Sequence, residues 1–567
     1  MTTTPAAMAS RTPPETCCTS SSASTAVPDR PSSATKSPTS SSTDSVTFPP
    51  TMTSISFALR SAQGAASSLR RGTLTLTRRA VPGPNPVPAP APISAKRRAN
   101  PDAGNAGAHD PALAADPTGA RFIAERERAT ASLSTTIESP ALLISSRRLL
   151  VPHLTMDVLS TVLPNSTIAD VPVEASFRDL PSSSFPGTLR SFANWGDQFT
   201  LWSARDVSVP FPTTARHGKD FVQMRTDAGL IKVTGKEFME AAARWRPDLV
   251  AVPAHILNAK GLSSKAASRA VERTVAMLDE CLAVHETLPN PPPVLATITG
   301  TSPTLLESCA QKVASRAANK VAGYVLDSPI TDLTPAAASL APAAWRYAAS
   351  CLTPDAMVRN LHVADAFPSA LAYVLAGHGY ALHVDWALPE RCAVDHLVDA
   401  DRHRTSKAPL RDGCSCWACQ RHNRAYVYHL LDCHEMLGWT LLTIHNLHQL
   451  DYFLAAIRTA IDTLPASEVG RQRAHFLAMW DVNLAPKLAD ILESIWADRG
   501  RSAAPSLDHG SMPSLVMGKP TAGSVTLGTT AANGVCAERE TKKRLRSPAR
   551  EADGVEGERP AKRQEKE

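Results

Sequence analysis

The 567-residue chain has no apolar run approaching the ~18 residues that a membrane-spanning helix needs, so no integral membrane segment is expected. It carries neither a Gly-x-Gly-x-x-Gly nor a Walker A pattern, which removes the usual phosphate-cradling turns of dinucleotide and P-loop folds. Charge of one sign is scarce in net terms. The 59 Lys and Arg against 53 Asp and Glu leave +6, which permits an RNA partner without arguing for one. Nothing suggests secretion, and most of the 11 cysteines are scattered, so a disulfide framework is not expected.

The 46 prolines divide the chain. Residues 1–53 are Ser, Thr and Pro with almost no apolar periodicity and are expected to form a disordered tail. Residues 80–134, with Pro-Val-Pro-Ala-Pro-Ala-Pro at 86–92, read as a disordered linker or insertion. Residues 501–567 again lack a core pattern. There Lys542-Lys-Arg-Leu-Arg546 and Lys562-Arg563 flank an acidic spacer, as in a two-part nuclear import signal or loose phosphate contacts.

Between these lie alternating strand and helix patterns. Leu230–Val233 reads as a strand, Thr234-Gly-Lys-Glu237 as a capping box, and Asp248–Pro253 as the next strand. Lys265–Leu282 is an amphipathic helix with Val271, Val275, Leu278 and Leu282 on one face. Strands follow at Val294–Thr299, Gly323–Asp327, Val358–Ala364 and Tyr380–Asp385. They alternate with helices at Pro303–Lys320, near 335–351, and at Pro368–Ala376. Repeated βα units imply a parallel sheet covered by helices, and the missing nucleotide motifs favour a closed (β/α)₈ TIM-like barrel over an open sheet.

The strongest chemical signal is Cys414-Ser-Cys416-Trp-Ala-Cys419. Three thiols in one tight turn, completed by an imidazole, suit tetrahedral zinc. Spacing alone leaves His422, His429, His434, His445 and His448 open as the fourth ligand.

Gly413–Cys419, Asn423-Arg-Ala-Tyr-Val-Tyr-His-Leu430 and Leu441-Leu-Thr-Ile-His-Asn-Leu-His448 together resemble the zinc region of the tRNA-guanine transglycosylases. Ser264–Thr274 with Leu278-Asp-Glu-Cys281, Ser139-Pro-Ala-Leu-Leu143 and Val151-Pro-His-Leu-Thr155 also resemble family segments. The resemblance covers most of 54–79 and 139–465 and is weak in 160–230. It selects His445 as the fourth ligand and implies one structural Zn²⁺ on Cys414, Cys416, Cys419 and His445. It also implies an opening β-hairpin at 54–79, a barrel at 135–465 with an inserted zinc subdomain at 405–450, and a helical segment at 466–500. The rival reading of Met52–Arg79, which has Arg, Ser and Ala but no acidic residue, is a mitochondrial transit signal.

Active members of the family replace an encoded tRNA guanine through an aspartate nucleophile. Here the FDCxxPTR nucleophile motif is matched by Val384-Asp-Trp-Ala-Leu-Pro-Glu-Arg391, which puts Asp385 at the nucleophile position, at the end of an expected barrel strand. The other motifs depart. The acidic FDEC-like turn becomes Val252-Pro-Ala-His255, the VQGG glutamine becomes Thr299, and the Gly-Gly pair becomes Asp327-Ser328. The Asn-Thr-Tyr-His-Leu segment with its catalytic aspartate has no counterpart.

The resemblance therefore implies a cytoplasmic, non-catalytic accessory subunit with no catalytic residue of its own, in a heterodimer that exchanges guanine for queuine at the wobble position. Its partners would be a catalytic transglycosylase subunit and tRNA. The alternatives are a divergent active transglycosylase using Asp385, or a zinc-stabilised RNA-binding scaffold. The stripe Leu447, Leu450, Phe453, Leu454, Ile457 and Ile461 is expected either to leave a face for the partner subunit or to lie wholly in the core.

Overall fold

The computed structural model describes residues 51–59, 69–80, 123, 127 and 132–501, apart from 165–166, 178–179, 181–184, 186, 212–217, 219, 227–228, 259–261 and 318. The expectations for the amino-terminal tail, for most of the Pro-rich insertion and for the basic carboxy-terminal tail lie outside the described residues.

Strands β1 (Thr51–Leu59), β2 (Gly72–Ala80) and β3 (Leu133–Glu138) form an antiparallel sheet in that order. Leu74 and Leu76 of β2 face the core at 1% and 0% exposure, so alternation sets the register. The same strand region supplies buried arginines. Arg78 grips Asp248 in two bonds of 2.6 Å, and Arg70 grips Asp365 at 2.8 and 2.9 Å. These partners precede barrel strands, so the sheet covers the barrel's amino-terminal end. The described residues 51–59 and 69–80 are thus part of the folded domain. Glu127, which composition placed in the insertion, is buried against Thr188 and Arg190.

The barrel consists of β4 (Ala141–Ser145), β5 (Ile168–Pro172), β6 (Phe199–Ser203), β9 (Leu249–Ala251), β10 (Val294–Ile298), β11 (Gly323–Leu326), β12 (Trp345–Tyr347) and β13 (Ala366–Pro368). All eight pair in parallel with their chain neighbours, and β13 closes on β4. Every residue of β9, β10 and β11 is buried, as befits strands sandwiched between barrel interior and helices. β7 (Val222–Thr226) and β8 (Gly229–Val233) are a side hairpin outside the barrel. After them, Thr234 and Glu237 form the expected capping box.

Three expected elements differ. The helix near 335–351 is only one turn, Thr334–Ala337. Pro342 cannot continue a helix, and Trp345-Arg-Tyr347 then supplies β12. Val358–Ala364 is not a strand. Pro354–Arg359 is helical with proline in its first turn, and buried Asn360 bonds the Thr331 and Ala356 carbonyls. The strand comes afterwards, as β13. Finally, β14 (Tyr380–His383) is not in the barrel but pairs antiparallel with β15 (Ala393–His396). Gly379, at φ +77°, turns the chain out of the helix Ala370–Ala376 and away from the sheet.

The 28-residue helix Met436–Thr463 runs beside this hairpin. Leu447, Leu450, Phe453, Leu454 and Ile457 are each 0% exposed, and Ile461 packs against the same core. Five of the six stripe residues are core, and Ile461 is half-buried at its end. Helices Ala466–Asn483 and Ala485–Arg501 follow. Among the described residues, no helix is long and apolar enough to cross a membrane.

Candidate metal centre and barrel mouth

Four side chains from three elements converge next to β14. Cys414 comes from the turn after Gly413, and Cys416 caps the short helix Trp417–Arg421, which carries Cys419. His445 sits on the long helix, fully buried. Its Nδ1 lies 3.8, 3.5 and 3.3 Å from the sulfurs of Cys414, Cys416 and Cys419. A tetrahedral zinc with ordinary Zn–S and Zn–N bonds would set those edges at about 3.5 Å. All four donor atoms lie within 4.8 Å of one another.

The surroundings prepare the donors. His445 Nε2 is 3.1 Å from the Leu382 carbonyl, which can only accept, so Nε2 carries the proton and Nδ1 keeps its lone pair. Burial pushes the His445 pKa down to about 4, holding the imidazole neutral. Gln449 donates to Cys414 Sγ at 3.3 Å, and the Cys419 backbone N–H donates to Cys416 Sγ at 3.3 Å. Donor set, spacing and tautomer therefore fit a metal ion. Of the other candidate histidines, His448 borders the cluster through Ser415 Oγ at 3.3 Å and Cys414, His429 faces Cys433, His422 stacks on Tyr426, and His434 lies in the turn after Leu431 with φ +56°.

Asp385 is fully engaged in local structure. Oδ1 accepts the backbone N–H groups of Ala387 and Leu388, both at 3.0 Å, and Oδ2 pairs with Arg411 at 2.8 Å. It follows β14, so it does not stand at the end of a barrel strand. The end of the eighth barrel strand instead reads Phe367-Pro368-Ser369, with no carboxylate. Ser369 is spent on reciprocal bonds with Ser145 across the β13–β4 seam.

The carboxy-terminal ends of the strands, where barrel enzymes place their chemistry, hold a polar cluster that satisfies itself. Arg205, just past β6, forms two bonds of 2.8 and 2.7 Å to Asp327, just past β11. Its remaining nitrogen bonds the Asp206 and Val209 carbonyls, and its plane lies over Phe211 at 4.5 Å. Asp170 of β5 accepts from Ser203 at 2.5 Å and from Tyr347 at 2.8 Å. Burial pushes Asp170 up to about 6 against the pull of those hydroxyls. Thr299 and His255 are buried at neighbouring strand ends. The arrangement supplies neither an open carboxylate nor bare backbone for a flat base.

Sequence reasoning missed Arg205, Asp170 and Tyr347. The available signal was an arginine directly after the apolar strand Phe199-Thr-Leu-Trp202, a strand that the weak 160–230 resemblance left unread.

The sequence profile described as Queuine tRNA-ribosyltransferase matches residues 126–476. A Xenopus tropicalis protein named Queuine tRNA-ribosyltransferase accessory subunit 2 is 28% identical over 58% of this chain and 90% of its own. Proteins of the same name from Danio rerio (28%, covering 57% and 89%) and Drosophila virilis (28%, covering 58% and 84%) are similarly related. With a matched profile over more than half its length, a closed eight-stranded barrel and the Cys₃His cluster beside it, this chain belongs to the queuine tRNA-ribosyltransferase family.

Proposed function

We propose that the chain is the non-catalytic subunit of a heterodimeric queuine tRNA-ribosyltransferase. It would support a catalytic partner that exchanges guanine for queuine at the tRNA wobble position. The observation that carries this reading is the barrel mouth. The Arg205–Asp327 ion pair fills the rim where base-reading groups belong, and proline ends the strand where a nucleophile would stand. Covalent exchange needs an in-line carboxylate, groups that hold the base and a proton donor together, and the described residues at the mouth do not assemble them.

Cys414, Cys416, Cys419 and His445 would hold one zinc ion with no open position, which pins the turn to the long helix. That pinning shapes the exposed face of the subdomain. Trp417 and Tyr426 are 39% and 37% exposed and both pack against His422, Tyr426 stacked and Trp417 tilted, with Met436 and Leu437 exposed farther along the chain at 74% and 40%. An apolar, aromatic face of this kind is the natural docking surface for the partner, in place of the buried stripe on the long helix.

The test is guanine exchange into tRNA by the purified chain, alone and together with a transglycosylase that keeps intact FDEC-like and VQGG-like motifs. Activity only in the mixture supports the proposal. Exchange by this chain alone overturns it.

A further inference from the structure

A chain of hydrogen bonds runs from Asp385 to Cys414, and the direction of each is fixed. Asp385 Oδ1 is held by the Ala387 and Leu388 N–H groups, and Oδ2 accepts from Arg411 Nη2 at 2.8 Å. Arg411 Nη1 donates to the Val384 carbonyl at 2.7 Å and to Gln449 Oε1. The Val384 N–H meets the same Oε1 at 3.4 Å. A guanidinium and a backbone N–H can only donate, so the oxygen of the Gln449 amide must face them. Its NH₂ group then points at Cys414 Sγ, 3.3 Å away. Gln449 is 2% exposed, so its amide has little water to turn to instead.

The sulfur at the end of this chain is the donor that its own element holds least. Cys416 and Cys419 are buried at the short helix Trp417–Arg421, and His445 is buried on the long helix. Cys414 is only partly buried, in a turn closed by its N–H and the Arg411 carbonyl at 3.3 Å, with Gly413 at φ +74° in the third position. His448 also approaches it. Three thiolates and a neutral imidazole around a divalent ion would carry one net negative charge, and the Arg411 cation is joined to them through Gln449.

We infer that Gln449, oriented by Arg411 and Asp385, is a positioning residue for Cys414: its N–H holds the thiolate in the donor set and sets how tightly the site keeps its metal. Asp385, which the family resemblance puts at the nucleophile position, serves the Cys₃His corner by fixing Arg411. An N–H bonded to a coordinated thiolate stabilises its charge, and loss of such an outer contact costs about 10–100-fold in metal affinity. The inference rests on the reading that the four donors hold zinc.

Chelator competition on the full chain, with Zn²⁺ as the probe, tests it. Gln449→Met keeps the length of the side chain without its N–H or oxygen, and should weaken zinc binding about tenfold. Gln449→Glu keeps the oxygen that Arg411 grips but turns a carboxylate oxygen toward the thiolate, and should weaken binding about 100-fold. That order separates positioning from tethering, because a simple tether between Arg411 and the long helix would survive Gln449→Glu best. In the Co²⁺-loaded proteins the thiolate-to-metal charge-transfer band should move to lower energy in Gln449→Met, since a thiolate without its N–H gives up an electron more readily. Gln449→Glu binding zinc as tightly as the parent, or a charge-transfer band unmoved in Gln449→Met, would overturn this inference and leave the zinc assignment standing. A parent chain that takes up no zinc would overturn that assignment, and this inference with it.

Discussion

The Cys₃His corner and the barrel mouth are both clusters of polar side chains set in an apolar shell, but they are finished in opposite ways. At the mouth Arg205 pairs with Asp327, and Asp170 accepts from Ser203 and Tyr347. At the Cys₃His corner three sulfurs and one imidazole nitrogen converge within 4.8 Å of one another, the donor set of a metal ion. Buried polar groups must be satisfied. The mouth has been satisfied from within, which closes it to chemistry, whereas the corner calls for something from outside. On the proposed reading, that contrast separates a retained structural device from a lost catalytic one.

The sharpest way to break the comparison is to remove a ligand. Cys416→Ser should abolish metal binding and unfold the region around 405–450, because structural zinc contributes on the order of 10 kcal/mol to folding. Elemental analysis should find no zinc in the variant and about one ion per chain in the parent. Full zinc in the variant would contradict the assigned donor set.

At the mouth the matching experiment should cost less. Arg205→Met leaves Asp327 buried and unpaired, with an expected loss of about 3–5 kcal/mol in denaturant unfolding. Arg205→Met together with Asp327→Leu should recover most of that loss, since a hydrophobic pair of similar volume often replaces a buried ion pair at little cost. A double variant as unstable as the single one would mean that Arg205 acts through its carbonyl and Phe211 contacts instead.

How far the sequence reaches follows the same division. The Cys₃ turn, the βα alternation from Asp248 to Leu326 and the capping box at Thr234 were legible because each rests on local spacing. The choice of His445 needed the family resemblance, since five histidines fit by spacing. The last two barrel strands were misread because each is only three residues long and lies beside stronger local signals. Asp385 was misplaced for the same reason. β14 has the composition of a barrel strand, but Gly379 redirects it, and composition does not show where a chain turns. Arg205 and Tyr347 become partners of Asp327 and Asp170 only through long-range closure, which no local window contains.

The mouth also has a pH signature. Asp170 rises from 3.8 to about 6 in the folded state, so the native form binds the proton more tightly than the unfolded chain. The sign follows from linkage. Stability is favoured by this group below about pH 4, falls as pH rises from about 4 to about 6, and is then constant, a loss of up to about 3 kcal/mol. Asp170→Asn keeps an acceptor for Tyr347 and cannot ionise, so it should flatten that part of the stability profile. Urea midpoints at pH 4, 5, 6 and 7 in parent and variant would show it. An unchanged slope would move the titration to another group.

The smallest effect is expected at Asp385, and it is the most informative about function. Its carboxylate accepts two backbone N–H groups from the turn that follows it and pairs with Arg411. With a side chain about one-fifth exposed, those bonds are worth about 1–2 kcal/mol together. Asp385→Ala should therefore lower the unfolding midpoint slightly and leave guanine exchange by the reconstituted heterodimer nearly intact. The corresponding change at the partner's nucleophile should abolish exchange. A catalytic aspartate would behave in the opposite way, with rate lost by orders of magnitude and stability little changed or improved. A covalent tRNA adduct on this chain that disappears in Asp385→Ala would show that the hairpin β14–β15 can reach a ribose, and the proposed division of labour between the two subunits would fall.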